Sequence, residues 1–464
     1  MSTSHPRPLH TTDGGLSRRT MLTRSVAASL GLTLSGSIPG LFGTAVAKHG
    51  HAAGYGPLVP DPAGLLSLPE GFGYTVVAEA GVTLLQSGEP TPSDADGTAS
   101  FARHGGGTVL VNNHEIDGSE AFKVPHLPGL VYDETAFGGT TTIEVDGTGN
   151  RVSEVVSLAG THVNCAGGRT PWETWLTCEE TEAIRGKPHG YVFEVDPHDM
   201  EANLDPQPIR ALGRFAHESV AVDPHEDVIY LTEDASNPNG LLYRWTPPRD
   251  APPLGKGSLR ALADDAGELD ALRAFTKRGE FVPDLSVFTE PGTRLRARWA
   301  PVPDRTAATL STRKQFEQVT RSRKLEGMWW GEDGAYFVAS FARTSDGSAA
   351  QHDGQVWFLD PEEDRIELML HFAYTPADQD GDPDGPDNIT VSPYGGLILA
   401  EDGDGANHLL GSTDDGEVFF LARNDIPGQS EFTGPTFSRD GRTLFANVQS
   451  PGHVFAIRGP FRRQ

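Results

Sequence analysis

The amino-acid sequence predicts an all-β fold, a six-bladed β-propeller with loop and helical insertions. The chain of 464 residues contains 54 Gly and 35 Pro spread along its length, which favours short strands and tight turns over long helices. Its apolar residues stand in short alternating runs, as in strands with one buried face. A strand–turn–strand unit recurs six times along the chain, and recurrence of one unit is typical of propellers.

The recurring unit is a predicted hairpin with polar or acidic ends. Its copies cover residues 101–115, 165–180, 218–234, 326–340, 387–402 and 431–447. Further predicted strands cover 74–78, 190–195, 241–245, 355–359 and 417–422. The connection over about 247–320 is predicted as an insertion, with a helix over 259–275. A pair of β-sandwich domains is the alternative architecture, but the repeated hairpins favour the propeller.

Residues 1–47 predict a twin-arginine signal peptide. Arg18 and Arg19 precede a weakly apolar stretch over 26–46, and the small residues at 45–47 suit cleavage. The alternative is a chance arginine pair before a core helix. The predicted organisation is thus a signal peptide followed by a single propeller domain over 48–464, exported through the twin-arginine translocon to the cell envelope or outside. No later segment reaches the roughly 18 apolar residues of a spanning helix, so no membrane insertion of the mature chain is expected.

The net charge of -27 narrows the classes of function. It argues against binding to nucleic acids or anionic membranes, since both need basic patches. It is compatible with cation binding, and equally with simple solubility.

The stretch over 160–180 contains both cysteines of the chain, Cys165 and Cys178. Read as an antiparallel hairpin, it brings its two ends side by side, so that Cys165 shares a sheet edge with Glu179 and Glu180. A thiol beside two carboxylates suits a hard metal with one softer ligand. The alternative is a disulfide between the two cysteines, with both glutamates solvated.

Residues of ligand type recur at the hairpin ends: Glu115, Cys165, Glu179, Glu180, His217, Glu218, Glu233, Asp234, Glu326, Asp387, Asn388, Glu401, Asp402 and Glu431. All of them except Glu115, His217 and Asn388 are predicted here as metal ligands. In a propeller, equivalent ends of the inner strands meet at one mouth of the central channel, where so many like charges repel unless cations lie among them. The recurrence therefore predicts a multi-metal site. Solvated strand ends are the alternative.

The segment NCAGGRTPWETWLTCEE over 164–180 closely resembles the signature of PhoX-type alkaline phosphatases. The resemblance continues through ALGRFAHESVAVDP, YLTED and EFTGPTFSRDGRTLFANVQSPG, and it extends over most of residues 70–457. It implies a six-bladed propeller that holds an iron and calcium cluster at its funnel and hydrolyses phosphomonoesters. It also implies Cys165 as an iron ligand, with Glu180, Glu233 and Glu326 among the carboxylates. Asp387, Glu401, Asp402 and Glu431 occupy similar hairpin ends.

The chain departs from the family pattern at two named positions. Lys324 stands where the family often has an arginine expected to hold phosphate, and lysine offers a point charge in place of a bidentate fork. Ser430 stands where the C-terminal motif often begins with cysteine. The chain is also shorter than typical members. These departures make a subgroup with an altered substrate range or lost activity conceivable.

The function expected from these features is that of a secreted phosphomonoesterase dependent on Fe(3+) and Ca(2+), acting on small phosphomonoester substrates. Lys324, Asn164 and Arg169 are the predicted catalytic residues, donating hydrogen bonds to the phosphoryl group. The alternatives are a calcium-dependent lactonase-like hydrolase and a non-catalytic binding propeller stabilised by calcium. Neither alternative needs a thiolate at the funnel, so Cys165 distinguishes them from the phosphatase.

The signal peptide gives the first testable prediction. The double substitution Arg18→Lys and Arg19→Lys should block export, and the mature protein should begin near Lys48, because the twin-arginine route reads the arginine pair. Fractionation of the native host with N-terminal sequencing measures both. Normal secretion of the double variant would remove the twin-arginine assignment.

Overall fold

The computed structural model describes residues 53–376 and 383–464. Within these two ranges the chain contains 27 β-strands, six short 3-10 turns and no α-helix, which confirms the all-β prediction. No helix in these ranges is long and apolar enough to span a membrane. The predicted signal peptide, residues 1–47, lies outside the described residues.

The strands are bounded, in chain order, as follows: β1 Leu58–Pro60, β2 Leu66–Pro69, β3 Gly73–Glu79, β4 Ala95–Ala102, β5 Thr108–His114, β6 Gly138–Val145, β7 Arg151–Thr161, β8 Asn164–Arg169, β9 Trp175–Glu179, β10 Val192–Val195, β11 His217–Val222, β12 Ile229–Glu233, β13 Leu242–Thr246, β14 Glu268–Phe275, β15 Phe281–Val282, β16 Arg294–Pro301, β17 Leu325–Trp330, β18 Ala335–Ala339, β19 Gly354–Asp360, β20 Arg365–Phe372, β21 Pro386–Val391, β22 Leu397–Glu401, β23 His408–Ser412, β24 Val418–Asn424, β25 Phe432–Phe437, β26 Thr443–Val448 and β27 His453–Arg458. The 3-10 turns are Glu201–Asn203, Arg210–Leu212, Leu259–Ala261, Leu285–Val287, Thr312–Lys314 and Thr344–Asp346.

The described strands form five antiparallel sheets. Two have four strands, β4-β5-β6-β7 and β25-β26-β27-β3, and a third has the order β10-β9-β8. A six-stranded sheet has the order β1-β2-β24-β23-β22-β21. The largest, with ten strands, has the order β11-β12-β13-β14-β16-β20-β19-β18-β17, and β15 pairs with β14. The prediction of six separate blades is therefore not matched: β16 pairs with both β14 and β20 and joins the third and fourth predicted hairpins in one sheet.

The sheets surround a central channel. The first strands of the predicted hairpins, β4, β8, β11, β17, β21 and β25, contact one another in this order, and β25 contacts β4 again. The channel between them is lined by residues from each of these strands, among them Gly97, Ala166, Ser219, Gly327, Asn388 and Pro435. Because β3 completes the sheet of β25–β27, the N-terminal part of the described chain closes this ring. The arrangement is propeller-like, as predicted.

The predicted helix over 259–275 is wrong. The segment forms only the 3-10 turn Leu259–Ala261 and the strand β14, which pairs with β13 and β16. Leu269 and Ala271 pack in one hydrophobic cluster while Leu272 and Ala274 pack in another. A strand that buries both faces lacks the alternation that marks strands in a sequence, and its Ala and Leu residues favour a helix by intrinsic propensity alone.

The first strands lie so close together that one added methyl group between them is expected to destabilise the fold. A Cβ at Gly168 in β8 would lie 2.0 Å from the carbonyl oxygen of Val220 in β11, whereas a Cβ at Gly73 meets nothing within 4 Å. Gly168→Ala should therefore lower the free energy of unfolding by about 3 kcal/mol through overpacking. Chemical denaturation measures the change, with Gly73→Ala as the matched control. Equal stability of the two variants would contradict the close packing of β8 and β11.

Candidate metal centre

Each of the first strands around the channel contains a β-bulge at the same level. At this level two residues of the first strand oppose one residue of the second strand. The bulged pairs are Asp96–Gly97, Cys165–Ala166, Glu218–Ser219, Glu326–Gly327, Asp387–Asn388 and Gly434–Pro435. Five of the six bulges therefore begin with a thiol or a carboxylate residue.

The second residue of each bulge lies along the channel, and two of these residues are glycines with no room for a side chain. A Cβ at Gly97 would lie 2.5 Å from the Cα of Ala166, and one at Gly327 would lie 2.7 Å from the carbonyl oxygen of Asp387. The absence of a side chain at these positions lets neighbouring first strands approach closely. The first residues of the bulges thereby come within reach of one another.

Seven of the predicted ligands come together in three groups, and within each group the ligand atoms lie within 4.8 Å of one another. The groups are Cys165–Glu180–Glu218, Glu218–Glu326–Asp387 and Asp387–Asp402–Glu431. Glu218 and Asp387 each belong to two groups, so the three form one continuous cluster. We call these seven residues the mouth cluster.

The mouth cluster is electrostatically unfavourable on its own. Burial, followed by the charges of Glu326 and Glu180, raises the pKa of Glu218 well above its ordinary value. Burial raises the pKa of Asp387 to about 6, although Lys324 opposes the rise. The Oε1 atom of Glu326 is buried, and the positive charge near it is the Lys324 ammonium at 3.2 Å. Closely spaced buried carboxylates with so little positive charge among them fit bound cations, which would supply the missing charge.

Both cysteines are free and buried, so the disulfide alternative is not realised. Cys178 packs in a hydrophobic cluster with Leu176 and Val192. The Cys165 thiol lies 3.4 Å from the carbonyl oxygen of His217, and its sulfur is part of the mouth cluster. A single sulfur among carboxylates is a mixed donor set of the kind predicted from the sequence, suited to a metal that accepts both.

Glu179, a predicted ligand, does not belong to the mouth cluster. Its carboxylate accepts a hydrogen bond from His189 Nδ1 at 2.6 Å and three more from main-chain N–H groups. His189 in turn contacts Asp133 at 3.2 Å through its other ring nitrogen. These bonds satisfy Glu179 inside the fold, so its role is structural.

Glu233 and Glu401 are corrected in the same way. Glu233 forms an ion pair with Arg313 at 3.0 Å and accepts a hydrogen bond from the Tyr243 hydroxyl at 2.9 Å. Glu401 accepts from His408 through its ring Nδ1 and its main-chain N–H, both at 2.8 Å. Neither residue is in the mouth cluster.

The alternation of side chains along a strand explains why, in the pairs Glu179–Glu180 and Glu401–Asp402, the second residue reaches the mouth cluster. Glu179 and Glu401 are the last residues of β9 and β22, and each pairs directly with the residue before a bulge. Successive residues of a strand point to opposite faces. Glu180 and Asp402, which follow them, therefore point the other way and join the cluster.

Lys324 lies at the edge of the mouth cluster. Its Nζ atom is 3.0 Å from Asp402 and 3.2 Å from Glu326. Burial alone would lower the pKa of Lys324, but the charges of Glu326 and Asp402 outweigh it and raise the pKa well above its ordinary value. Asp234, another predicted ligand, lies beside the cluster, where its charge adds to burial in raising the pKa of Glu180, and it is paired with Arg323 at 3.0 Å.

The predicted catalytic residues Asn164 and Arg169 are not in the cluster. The Asn164 amide accepts a hydrogen bond from the Thr161 hydroxyl of β7 at 2.6 Å and donates one to Thr177 of its own hairpin at 3.0 Å. Arg169 forms an ion pair with Glu173 at 2.7 Å at the other end of β8. The main chain of Arg169 lies four residues beyond Cys165, about 13 Å along an extended strand.

Asp96 and Glu115 were not predicted as ligands but lie next to the mouth cluster. Burial, then the charges of Glu115 and Asp387, raises the pKa of Asp96 well above its ordinary value. Burial raises the pKa of Glu115 to about 7. Glu115 already appears in the sequence as an acidic hairpin end. Asp96 could have been found by starting the first hairpin at Ala95, where β4 begins, rather than at Phe101.

A propeller-like all-β fold with thiol and carboxylate groups gathered next to the residues that line its channel defines a class of protein with a candidate multi-metal centre. The family model for alkaline phosphatase PhoX matches residues 53–157 and 148–452. The chain therefore belongs to the PhoX family of alkaline phosphatases, which confirms the resemblance found in the sequence.

The comparison with solved structures gave matches at different levels of similarity. Pseudomonas fluorescens PhoX, solved in complex with vanadate, a transition-state analogue, has a TM-score of 0.65 and 20% identity, over 87% of this chain and 97% of that chain. A gluconolactonase from Xanthomonas campestris has a TM-score of 0.42 and 13% identity, over 88% of this chain and 98% of that chain. A search of the curated proteins found no match.

Two glutamine substitutions test whether Glu179 stabilises the fold while its neighbour Glu180 binds a cation in the mouth cluster. Glu179→Gln should lower the free energy of unfolding by about 2 kcal/mol, because a neutral amide cannot accept all four hydrogen bonds. Glu180→Gln should unfold in chelator at the wild-type temperature or above, since it removes one of the repelling charges. Added calcium should raise the unfolding temperature of wild type and Glu179→Gln more than that of Glu180→Gln. Thermal unfolding of the wild type and both variants, with and without calcium, measures these effects. A larger calcium-induced rise for Glu180→Gln than for wild type and Glu179→Gln would contradict the assignment of Glu180 to the mouth cluster.

Proposed function

We propose that this protein is a metal-dependent alkaline phosphatase that hydrolyses small phosphomonoesters at the mouth cluster. The observation that carries the proposal is the continuity of that cluster: three groups of ligand atoms share Glu218 and Asp387, with Lys324 at their edge. Membership in the PhoX family of alkaline phosphatases supports the same reaction.

The donor atoms divide between two kinds of metal. Cys165, Glu180 and Glu218 offer sulfur and oxygen together, a set that suits iron. The other two groups offer oxygen alone, which suits calcium. When bound, these metals would supply an activated oxygen nucleophile and positive charge against the phosphoryl oxygens.

The protein's own residues hold and orient the substrate. Lys324, kept protonated by Asp402 and Glu326, offers ammonium hydrogens to a phosphoryl oxygen at the edge of the cluster. An ammonium group binds phosphate as a point charge without bidentate geometry, so tolerance for differently shaped monoesters is expected.

The proposal includes the domain architecture of the protein and its location in or outside the cell. The segment over 48–464 is proposed as one propeller domain whose six hairpins act as six modules around the channel, including those joined by β16. The connection over about 247–320 is an insertion between two modules. Export by the twin-arginine route, from the arginine pair at Arg18 and Arg19, would deliver the folded, metal-loaded protein to the cell envelope or the medium.

The lactonase-like hydrolase and the calcium-stabilised binding propeller are less well supported. Calcium prefers oxygen ligands, so neither alternative uses the sulfur of Cys165, which lies within 4.8 Å of the ligand atoms of Glu180 and Glu218.

Two serine substitutions test the proposal. Cys165→Ser should abolish most phosphatase activity and iron content, together with the visible absorption expected of iron bound by thiolate, because it removes the sulfur of the mixed donor set. Cys178→Ser should keep most of all three, because Cys178 is not one of the residues whose ligand atoms form the mouth cluster. Hydrolysis of a chromogenic phosphomonoester, elemental analysis and absorption spectra provide the measurements. An inactive, colourless wild type carrying no iron when purified from its native host would contradict the proposed function.

A further inference from the structure

Asn113 is a buried asparagine of β5 that holds the main chain of the Cys165 bulge. Its Nδ2 group donates to the carbonyl oxygen of Cys165 at 2.9 Å and to that of Ala166 at 2.7 Å. Its Oδ1 atom accepts from Trp175 Nε1 at 2.9 Å. An indole N–H only donates and a carbonyl oxygen only accepts, so the three bonds leave one possible orientation of the amide.

This contact crosses from one predicted hairpin to the next. Asn113 is the residue that opposes the Asp96–Gly97 bulge, and it reaches the carbonyls of the bulge in the neighbouring first strand. Thr232 occupies the equivalent position opposite the Glu218–Ser219 bulge, and its hydroxyl donates to the carbonyl of Glu326 at 2.7 Å.

Two ligand residues of the mouth cluster, Cys165 and Glu326, are therefore held through their carbonyl oxygens by the preceding hairpin. A bulge has no regular ladder of hydrogen bonds at its extra residue, so its main chain needs another partner to fix its direction. The direction of the main chain sets where Cβ and the ligand atom point. A side chain that holds a bulge carbonyl thus controls the position of the ligand without touching it.

We propose that Asn113 is a positioning residue that fixes the bulge at Cys165, so that the sulfur reaches the metal shared with Glu180 and Glu218. Trp175 supports this role by holding the amide in its required orientation. The inference rests on the proposed function in one respect, namely that Cys165 is a metal ligand. Groups that orient metal ligands typically change metal affinity by about 10–100-fold when they are lost.

The experiment uses Co²⁺ as the probe, because cobalt bound by a thiolate absorbs through sulfur-to-metal charge transfer. Purified, metal-depleted protein is titrated with Co²⁺, and both the affinity and the absorption per bound cobalt are recorded. Asn113→Leu removes all three hydrogen bonds with no change of charge. Asn203→Leu is the matched control: Asn203 is equally buried, donates to one carbonyl and accepts from one N–H, and lies outside the mouth cluster.

Asn113→Leu should bind Co²⁺ about tenfold or more weakly with a reduced charge-transfer band, while Asn203→Leu should lose stability but keep the wild-type band and affinity. If Asn113→Leu does not fold, Trp175→Phe decides, since it removes the indole N–H that holds the amide while keeping an aromatic ring, and it should show a smaller loss in the same direction. A wild-type band and affinity in the folded Asn113→Leu variant, or in Trp175→Phe where that variant decides, would overturn the inference.

The outcome separates this inference from the proposed function. A wild-type protein with the thiolate band but no phosphatase activity would contradict the proposed function and leave the role of Asn113 supported by the variants. A wild-type protein that binds Co²⁺ without a thiolate band would overturn the role of Asn113, because Cys165 would then not be a ligand.

Discussion

Repulsion among buried carboxylates is the constraint on which the site of this protein depends. Glu218 and Glu326 are buried, Glu180 and Glu431 are half-buried beside the same cluster, and desolvation raises the pKa of each well above its ordinary value. Lys324 is the cation that contacts the cluster among the described residues, and one ammonium group cannot balance so many carboxylates. The fold holds these groups together at a cost that bound cations would offset, so stability and metal binding are coupled.

Two features of strand geometry build this arrangement. The bulges in the first strands turn one residue of each strand toward the same end of the channel, and the end of the second strand supplies an acidic residue beside several of them. The residue one position earlier points into the fold, where Glu179 and Glu233 meet histidine, arginine and tyrosine partners. Adjacent acidic residues therefore have separate tasks: one stabilises the sheet, and its neighbour faces the cluster.

Much of this could be predicted from the sequence, because repetition of a hairpin with acidic ends shows both the strands and their common edge. Seven of the predicted ligands meet in the cluster.

The sequence could not show that Glu179, Glu233 and Glu401 point inward, since a one-residue difference in register reverses the direction of a side chain. Asp96 was missed because the first hairpin was predicted to begin at Phe101, although β4 begins at Ala95. Arg169 was predicted from its place in the motif, but the sequence could not show that it lies at the end of β8 remote from Cys165, paired with Glu173. The strand β14 was taken for a helix because both its faces are buried, and β16 joins two predicted blades through pairings with no sequence signal.

The proposed function requires that the mouth cluster hold iron beside Cys165 and calcium among the carboxylates. Anomalous X-ray diffraction from crystals of the protein purified from its native host, collected on both sides of the iron absorption edge, tests this most directly. The account predicts an iron peak bound by the sulfur of Cys165 with Glu180 or Glu218, and further density without an iron signal between Asp387 and its carboxylate neighbours. No anomalous peak within the cluster, or an iron peak remote from Cys165, would contradict it.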